Sequence, residues 1–462
     1  MATVFRLADY AQTAGTIVDL HAGTLKLEAE SWSTRTAPME GNYKHTKFGA
    51  QPQFDHLGVM VENFGLIGDD TVANLITGHN NIMAVLEKAR LYHEDPLQSN
   101  SWWLEANANG ESAKRALLYE GSLQALTGVG LDPLMATKKL RLGCSLSRHP
   151  LWETVTPTTE THATNVSLTG GMWVPSTIPV GTCPGRIATW KMTGTGGTTV
   201  TRIWSGIRPT YNGTAGFIAL QECETGTEGT DAVDTLGGAT DSGDRYVLVN
   251  FATVTTMANR LTKYVNQMGG TISHYKGRYL VLLRCKVSAG TIAVQMKMGL
   301  PGTSTTALAE SAPVYLTNTA YQLIDLGEVQ IPPYGVRETT STAWGTMQLQ
   351  FWAERVAGAG TLTMDAFILM PSEHMIYGNE LTIAAPEGSS GFSAYTHADD
   401  TYRVETLTDV PYSVTEYLVR EPYWPVEGGI MVCAGETAAG HDLVITIKPS
   451  LTVFPRWYNF RG

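Results

Sequence analysis

The sequence is poor in the groups from which most chemistry is built. Charged residues make up 16% of its 462 positions, below the quarter or so of an ordinary soluble chain. Its 32 basic and 43 acidic residues leave a net charge of −11, and no basic run interrupts them. Such a chain is badly suited to wrapping nucleic-acid phosphates, which clustered Lys and Arg must neutralise. The five cysteines (Cys144, Cys183, Cys223, Cys285 and Cys433) are scattered, odd in number and never spaced C-x-x-C. That argues against a disulfide framework or zinc knuckle and fits free buried thiols in a protein made in a reducing cytoplasm. No apolar run approaches the roughly 18 residues of a membrane span, and the start Met1-Ala-Thr-Val-Phe-Arg does not read as a signal peptide. No G-x-S-x-G, H-E-x-x-H or Walker A pattern is present.

What the chain does have is glycine, 47 residues, frequent threonine and 43% apolar residues. This composition predicts an all-β protein full of tight turns, with enough apolar surface for real cores. The length suggests about three domains.

Residues 1–153 predict a β-sandwich with one flanking helix. Thr16–Leu20 and Thr24–Glu30 read as strands about a His21-Ala22-Gly23 turn, with Leu25, Leu27 and Ala29 on one face. Residues 33–53 are polar and broken by Pro38, Gly41, Gly49 and Pro52, which predicts a long exposed loop or hairpin. His56–Glu62 resumes a strand. Asp69 and Asp70 stand where an N-cap would, before Val72, Leu75, Ile76, Ile82, Met83, Leu86 and Ala89 at helical spacing. The helix is expected over about 70–94, stopping at Asp95-Pro96, with Gly78 bending or fraying it. Ser101–Ala106 and Ala113–Tyr119 flank Asn109-Gly110, a hairpin signal. Lys138–Ser147 alternates, with Leu140, Leu142, Cys144 and Leu146 on one face.

Residues 154–164 are Thr-rich and read as a linker. A second domain is expected over 154–375, a jelly roll whose clearest strands are 278–287, 291–298, 321–331, 347–353 and 361–370. A β segment, 376–462, completes the chain with strands 442–448 and 454–458.

Four groupings carry what chemistry there is. The acidic stretch Glu222–Asp244 includes Asp231, Asp234, Asp241 and Asp244 among glycines. Calcium takes about six to eight oxygens and such a loop can supply them, but Asp and Gly also build any long exposed turn. Glu354 and Asp365 fall on what read as neighbouring strands, the arrangement of a glycosidase pair or of solvated strand edges. Trp173, Trp190, Trp204 and Tyr211 cluster in sequence and are either stacking platforms for sugar faces or inward core residues. Cys144 and His149 read as packing residues, and Gly194–Gly197 as a turn rather than a phosphate cradle, because no helix follows it.

The order of elements in the first segment resembles the ring-forming domain shared by distal tail and tail-tube proteins of long-tailed bacteriophages. The residues that carry the likeness are the helix through Ala84–Arg90, Tyr92–Leu97, the Trp102–Glu105 strand, Arg115–Tyr119 and the strand ending in Arg148-His-Pro-Leu-Trp152. The end Phe454–Tyr458 looks like the closing strand of such proteins, and Thr361–Pro371 is similar to a carbohydrate-binding jelly roll. The resemblance implies a homo-oligomeric ring, commonly a hexamer, that binds other tail proteins in a virion assembled after synthesis in the host cytoplasm. Phage DNA would pass through its channel without sequence-specific binding, and a net acidic lumen would not trap it. The loop 33–53 would then be an inter-subunit arm, and the added β domain an outward decoration touching host surface glycans. No cofactor and no catalysis are implied. The alternatives are a multi-domain carbohydrate-binding protein or glycosidase, and a capsid decoration or receptor-binding protein.

Overall fold

The computed structural model describes residues 4–9, 17–28, 31–35, 42–46, 49–53, 59–94, 101–107, 111–125, 139–194, 200–210, 216–270, 272–299, 307–331, 347–383, 391–396, 402–406, 417–420, 422–437, 440 and 446–457. It is mainly β, with one α-helix among the described residues and several separate sheets around three large cores.

The first core lies between two antiparallel sheets and the helix. One strand, Lys114–Ala125, belongs to both sheets. Its first half pairs with Trp102–Asn107 (Trp103↔Leu117) and its second half with Lys139–Arg148 (Cys144↔Leu123). Lys139–Arg148 pairs in turn with Met60–Asp69 over its whole length. Alternation turns Phe64, Leu66, Leu142, Cys144 and Leu146 inward, as the sequence pattern requires.

The helix runs Val72–Glu94 and buries Leu75, Ile82, Val85, Leu86 and Ala89. Thr71 is its cap: the Asn74 N–H donates to Thr71 Oγ1, while Asp70 accepts from the Asn74 amide. The helix continues unbroken through Gly78, which packs on Leu25. Gly121 lets it sit close to the sheet, because a Cβ there would lie 2.8 Å from Leu86 and 2.9 Å from Leu146.

The remaining chain folds differently from the expected division at 375. Strand Thr446–Trp457 pairs with Trp152–Thr154, Thr158–Thr161, Val166–Ser167 and Cys183–Gly194. The Thr-rich stretch after 153 is therefore largely paired strand. Its threonines face solvent while the backbone hydrogen-bonds, which a count of polar residues cannot distinguish from a linker. The expected strand 454–458 is the end of this longer strand; residues 441–445 of the expected strand 442–448 lie outside the described residues.

A facing sheet of Thr169–Trp173, Gly429–Thr437, Val200–Pro209, His374–Ile383 and Tyr417–Arg420 closes the second core. Residues on both sides of 210–371 thus build one sandwich, and the intervening chain forms another. In the latter, Ala232–Leu236, Arg245–Val249, Leu362–Pro371, Gly277–Val287 and Gln322–Ile331 make one sheet. Thr227–Glu228, Ala258–Tyr264, Gln348–Ala357, Thr291–Gly299 and Ala307–Glu310 make the other.

The two sandwiches share a wall. Ile203, Ile207, Met431 and Cys433 face the second core, whereas Trp204, Met375, Val432 and Ala434 on the same sheet join the third. Gly206 permits the approach, since a Cβ there would fall 2.1 Å from the Pro371 carbonyl. Strand Leu362–Pro371, covered on both faces, is buried at every position, which explains its continuous apolar run.

Candidate functional site

The outer face of the first sandwich has a strip of small uncharged polar residues, with Glu28, Asp69, Glu120, Lys139 and Arg141 around it. Asn63 and Gly65 sit opposite Ser145 and Gly143, which sit opposite Ser122 and Gln124. The strand alternation that sends Phe64 and Cys144 inward sends these residues outward. They floor an open groove of about 510 Å³ walled by Glu28, Ser31 and Arg141. Glu28 and Arg141 form an ion pair at 2.8 Å across it. Hydroxyls and amides here can hydrogen-bond, but the groove holds no activated nucleophile: burial pushes the Cys144 thiol up to about 12.

The segment 33–53 contains a hairpin. Asn42–Thr46 pairs with Gly49–Gln53 (Asn42↔Gln53, Thr46↔Gly49) as a two-stranded sheet of its own. Among the described residues neither strand pairs with another, so both outer edges keep open backbone groups.

A buried charge cluster joins the first sandwich to the second. Trp152–Thr154 pairs with Lys114–Ala125 on one side (Glu153↔Arg115) and with Thr446–Trp457 on the other (Trp152↔Trp457). Glu153, 2% exposed, accepts from Arg115 at 3.1 Å and from Arg186 at 2.7 Å, with Arg456 at 3.8 Å. Arg115 lies 4.0 Å over the Trp103 ring, and Arg186 lies 4.3 Å over Phe454. Burial raises the Glu153 pKa but the arginines more than offset it, holding the carboxyl below its ordinary value. A second buried pair, Glu62 with Arg148 at 2.6 Å, sits in the first core, where Trp32 also donates to Glu62. Sequence reading missed both clusters, because their partners are separated by tens to hundreds of residues.

The expected site residues do not assemble. Trp173 and Trp190 are buried in the second core and Trp204 in the third, stacked on Tyr377 at 5.1 Å. These three rings form no stacking platform on the surface. Tyr211 lies outside the described residues. Asp231 accepts from the N–H groups of Thr253 and Val254 and pairs with Arg260. Asp234 pairs with Arg245. Asp241 accepts from the Tyr321 hydroxyl and the Gly238 N–H. Asp244 is exposed, and its carbonyl accepts from Gly237. Asp231 holds one turn, Asp234 a cross-strand pair, and Asp241 and Asp244 the 237–244 loop; among the described residues no three metal-ligating side chains converge. Glu354 and Asp365 stand on opposite sheets of the third sandwich, and Asp365 is fully buried with Arg284. The sequence placed them on neighbours because sheet membership alternates along a sandwich chain.

No protein-family model matches this chain, and no curated protein matches it. Among solved structures it is similar to one titled as the phage p2 baseplate in its activated conformation with Sr. The TM-score is 0.23 at 8% identity, covering 79% of this chain and 98% of that one. The SPP1 Dit protein, described as a hub adsorption apparatus of phages infecting Gram-positive hosts, gives 0.20 at 10% identity, covering 79% and 100%. Particles derived from infectious bursal virus give 0.16 at 9% identity, covering 66% and 79%. These neighbours are virus structural proteins, and scores this low do not establish a common fold.

Proposed function

We propose that this protein is a structural subunit of a phage tail, of tube or distal-tail type, that closes into a ring through its first sandwich. The observation that carries this reading is the hairpin 42–53, a two-stranded ribbon that pairs with no other described strand. Such a ribbon is stable only when a further strand completes it, and an adjacent copy offers one. The Ser, Asn, Gln and Gly floor of the groove suits a channel wall, since it neither binds phosphates tightly nor presents an apolar patch. The element order that resembles tail ring domains agrees with this role. The expected hexamer and its contacts with other tail proteins belong to the same proposal, as does a structural rather than catalytic role.

Negative-stain electron microscopy across a concentration series tests it. Rings or stacked tubes with a central hole are expected for the intact chain, and monomers only for a chain with 42–53 replaced by a short Gly-Ser link. Monomers of the intact chain at every concentration would refute the ring.

A second, outward role for the third sandwich has one observation in its favour. Trp352 is partly exposed on the outer face of its sheet, where its N–H donates to Gln350 and the Lys297 ammonium lies 4.4 Å over its ring. An indole beside amides is the chemistry that meets a sugar face. Glycan-array binding that disappears in Trp352→Ala supports this contact, and binding unchanged in that variant removes it.

A further inference from the structure

The loop 237–244 closes one end of the third sandwich over a group of carboxyls. Ser242 clamps it: its N–H donates to Asp365 Oδ1 at 2.8 Å and its hydroxyl to Glu222 Oε1 at 2.6 Å. Arg284 donates to Asp365 and to the Thr240 carbonyl, and the Tyr321 hydroxyl donates to Asp241. Under the loop lie Glu222 and Glu224. A Cβ built on Gly243 (φ +61°) would stand 3.1 Å from Glu224 Oε1 and 3.9 Å from Glu222 Oε1, so both carboxyls face one loop residue. Each also has an oxygen, Glu222 Oε2 and Glu224 Oε2, that is shut off from solvent and has no hydrogen-bond partner. Two buried oxygens without partners are unfavourable while both carboxyls carry charge.

Lys263 and Arg245 lie near enough to feel the Glu224 charge, but their hydrogen bonds go elsewhere. Lys263 donates to the Glu222 carbonyl and to Thr225, Arg245 pairs with Asp234, and Arg284 pairs with Asp365. Burial keeps the adjacent Cys223 thiol neutral, and Asp244 is exposed. A divalent cation fits poorly, because calcium takes about six to eight oxygens and no three ligating side chains converge among the described residues. A proton on Glu224 needs no further ligand and removes one of the two charges.

We propose that a protonated Glu224 keeps the 237–244 loop latched onto the sandwich, and that loss of this proton releases the loop. Burial, with the charges of Glu222, Asp365 and Asp234 around it, pushes Glu224 up to about 7, and burial pushes Asp365 up to about 6. Once Glu224 ionises, repulsion falls on Glu222 and Asp365, the acceptors that clamp Ser242. The latch is independent of the ring proposal, since it lies within one sandwich.

Hydrogen exchange read by mass spectrometry on the full chain, at about pH 6 and about pH 8.5 and corrected for the chemical rate, tests it. Amide protection over 238–244 is expected to fall on the order of tenfold at the higher pH, while strand Gly277–Val287 stays protected. Glu224→Gln, which keeps an N–H donor and cannot ionise, is expected to stay protected at both. Unchanged protection in the parent chain overturns the latch whether or not the variant folds. So does equal loss in parent and variant. Recovery at the higher pH on adding calcium alone assigns the cluster to a cation and overturns it too.

Discussion

Glu153 and Glu224 are buried to different degrees and respond to pH in opposite directions, because one has arginines around it and the other has carboxylates. The Glu153 pKa is depressed, so its contribution to stability is present above the unfolded carboxyl value of roughly 4.3 and is lost as pH falls through the lower folded value. The Glu224 pKa is raised, so its contribution is complete below that unfolded value and is lost as pH rises through about 7. Glu153→Gln leaves three buried guanidinium groups without their carboxylate, which is expected to cost about 3–5 kcal/mol. Urea unfolding at neutral pH reads the loss, and a midpoint unchanged from the parent would remove the cluster from the joint. Glu224→Gln is expected to have the converse profile, leaving stability at about pH 5 unchanged and raising it at about pH 8.5. At Gly121, a valine must displace Leu86, Leu146 or the Ser145 carbonyl. An overpacking loss of about 1–3 kcal/mol is expected, seen as a lower thermal midpoint.

At the scale of elements, legibility followed burial. The helix and the strand Lys139–Arg148 each bury one face, and their sequences show it at period 3.6 or 2. Strand Leu362–Pro371 buries both faces, so its apolar run announces a strand without telling which sheets cover it. Strand Thr446–Trp457 reads in sequence as the ends of two strands, 442–448 and 454–458, with Pro449 between them. It runs as one strand because three short segments and Cys183–Gly194 pair along it, with register shifts absorbing the irregularities. Removing 446–457 is therefore expected to abolish the second core. A fragment spanning 216–371 holds nearly all of the third core and is expected to fold alone, with a cooperative thermal transition. A fragment of 154–209 is expected not to fold.

At the scale of the whole molecule, three sandwiches are joined by two different devices. Backbone pairing through Trp152–Thr154, with Glu153 and its arginines, fastens the first to the second. A sheet shared face to face fastens the second to the third. The chain enters the second sandwich, leaves to build the third, and returns to finish it, so the expected boundary at 375 falls inside the second sandwich's sheet. If a ring forms through the hairpin, replacing 42–53 is expected to abolish it while leaving the far-UV circular dichroism nearly unchanged, because no other described strand pairs with that ribbon.

The sequence by itself determined the β class, the helix expected over about 70–94, the free cysteines and the strands with the clearest alternation or apolar runs, because these depend on local period and composition. Only the tertiary structure decided which strands share a sheet, and with that the fate of the expected sites. Trp173, Trp190 and Trp204 went into cores, Asp231, Asp234, Asp241 and Asp244 into turn and strand contacts that do not converge, and Glu354 and Asp365 onto opposite sheets. Alternation along a strand tells that side chains divide between two faces. Which face is covered is set by partners far away in the chain, such as strand Thr446–Trp457 closing over Cys183–Gly194, and no local window of sequence contains them.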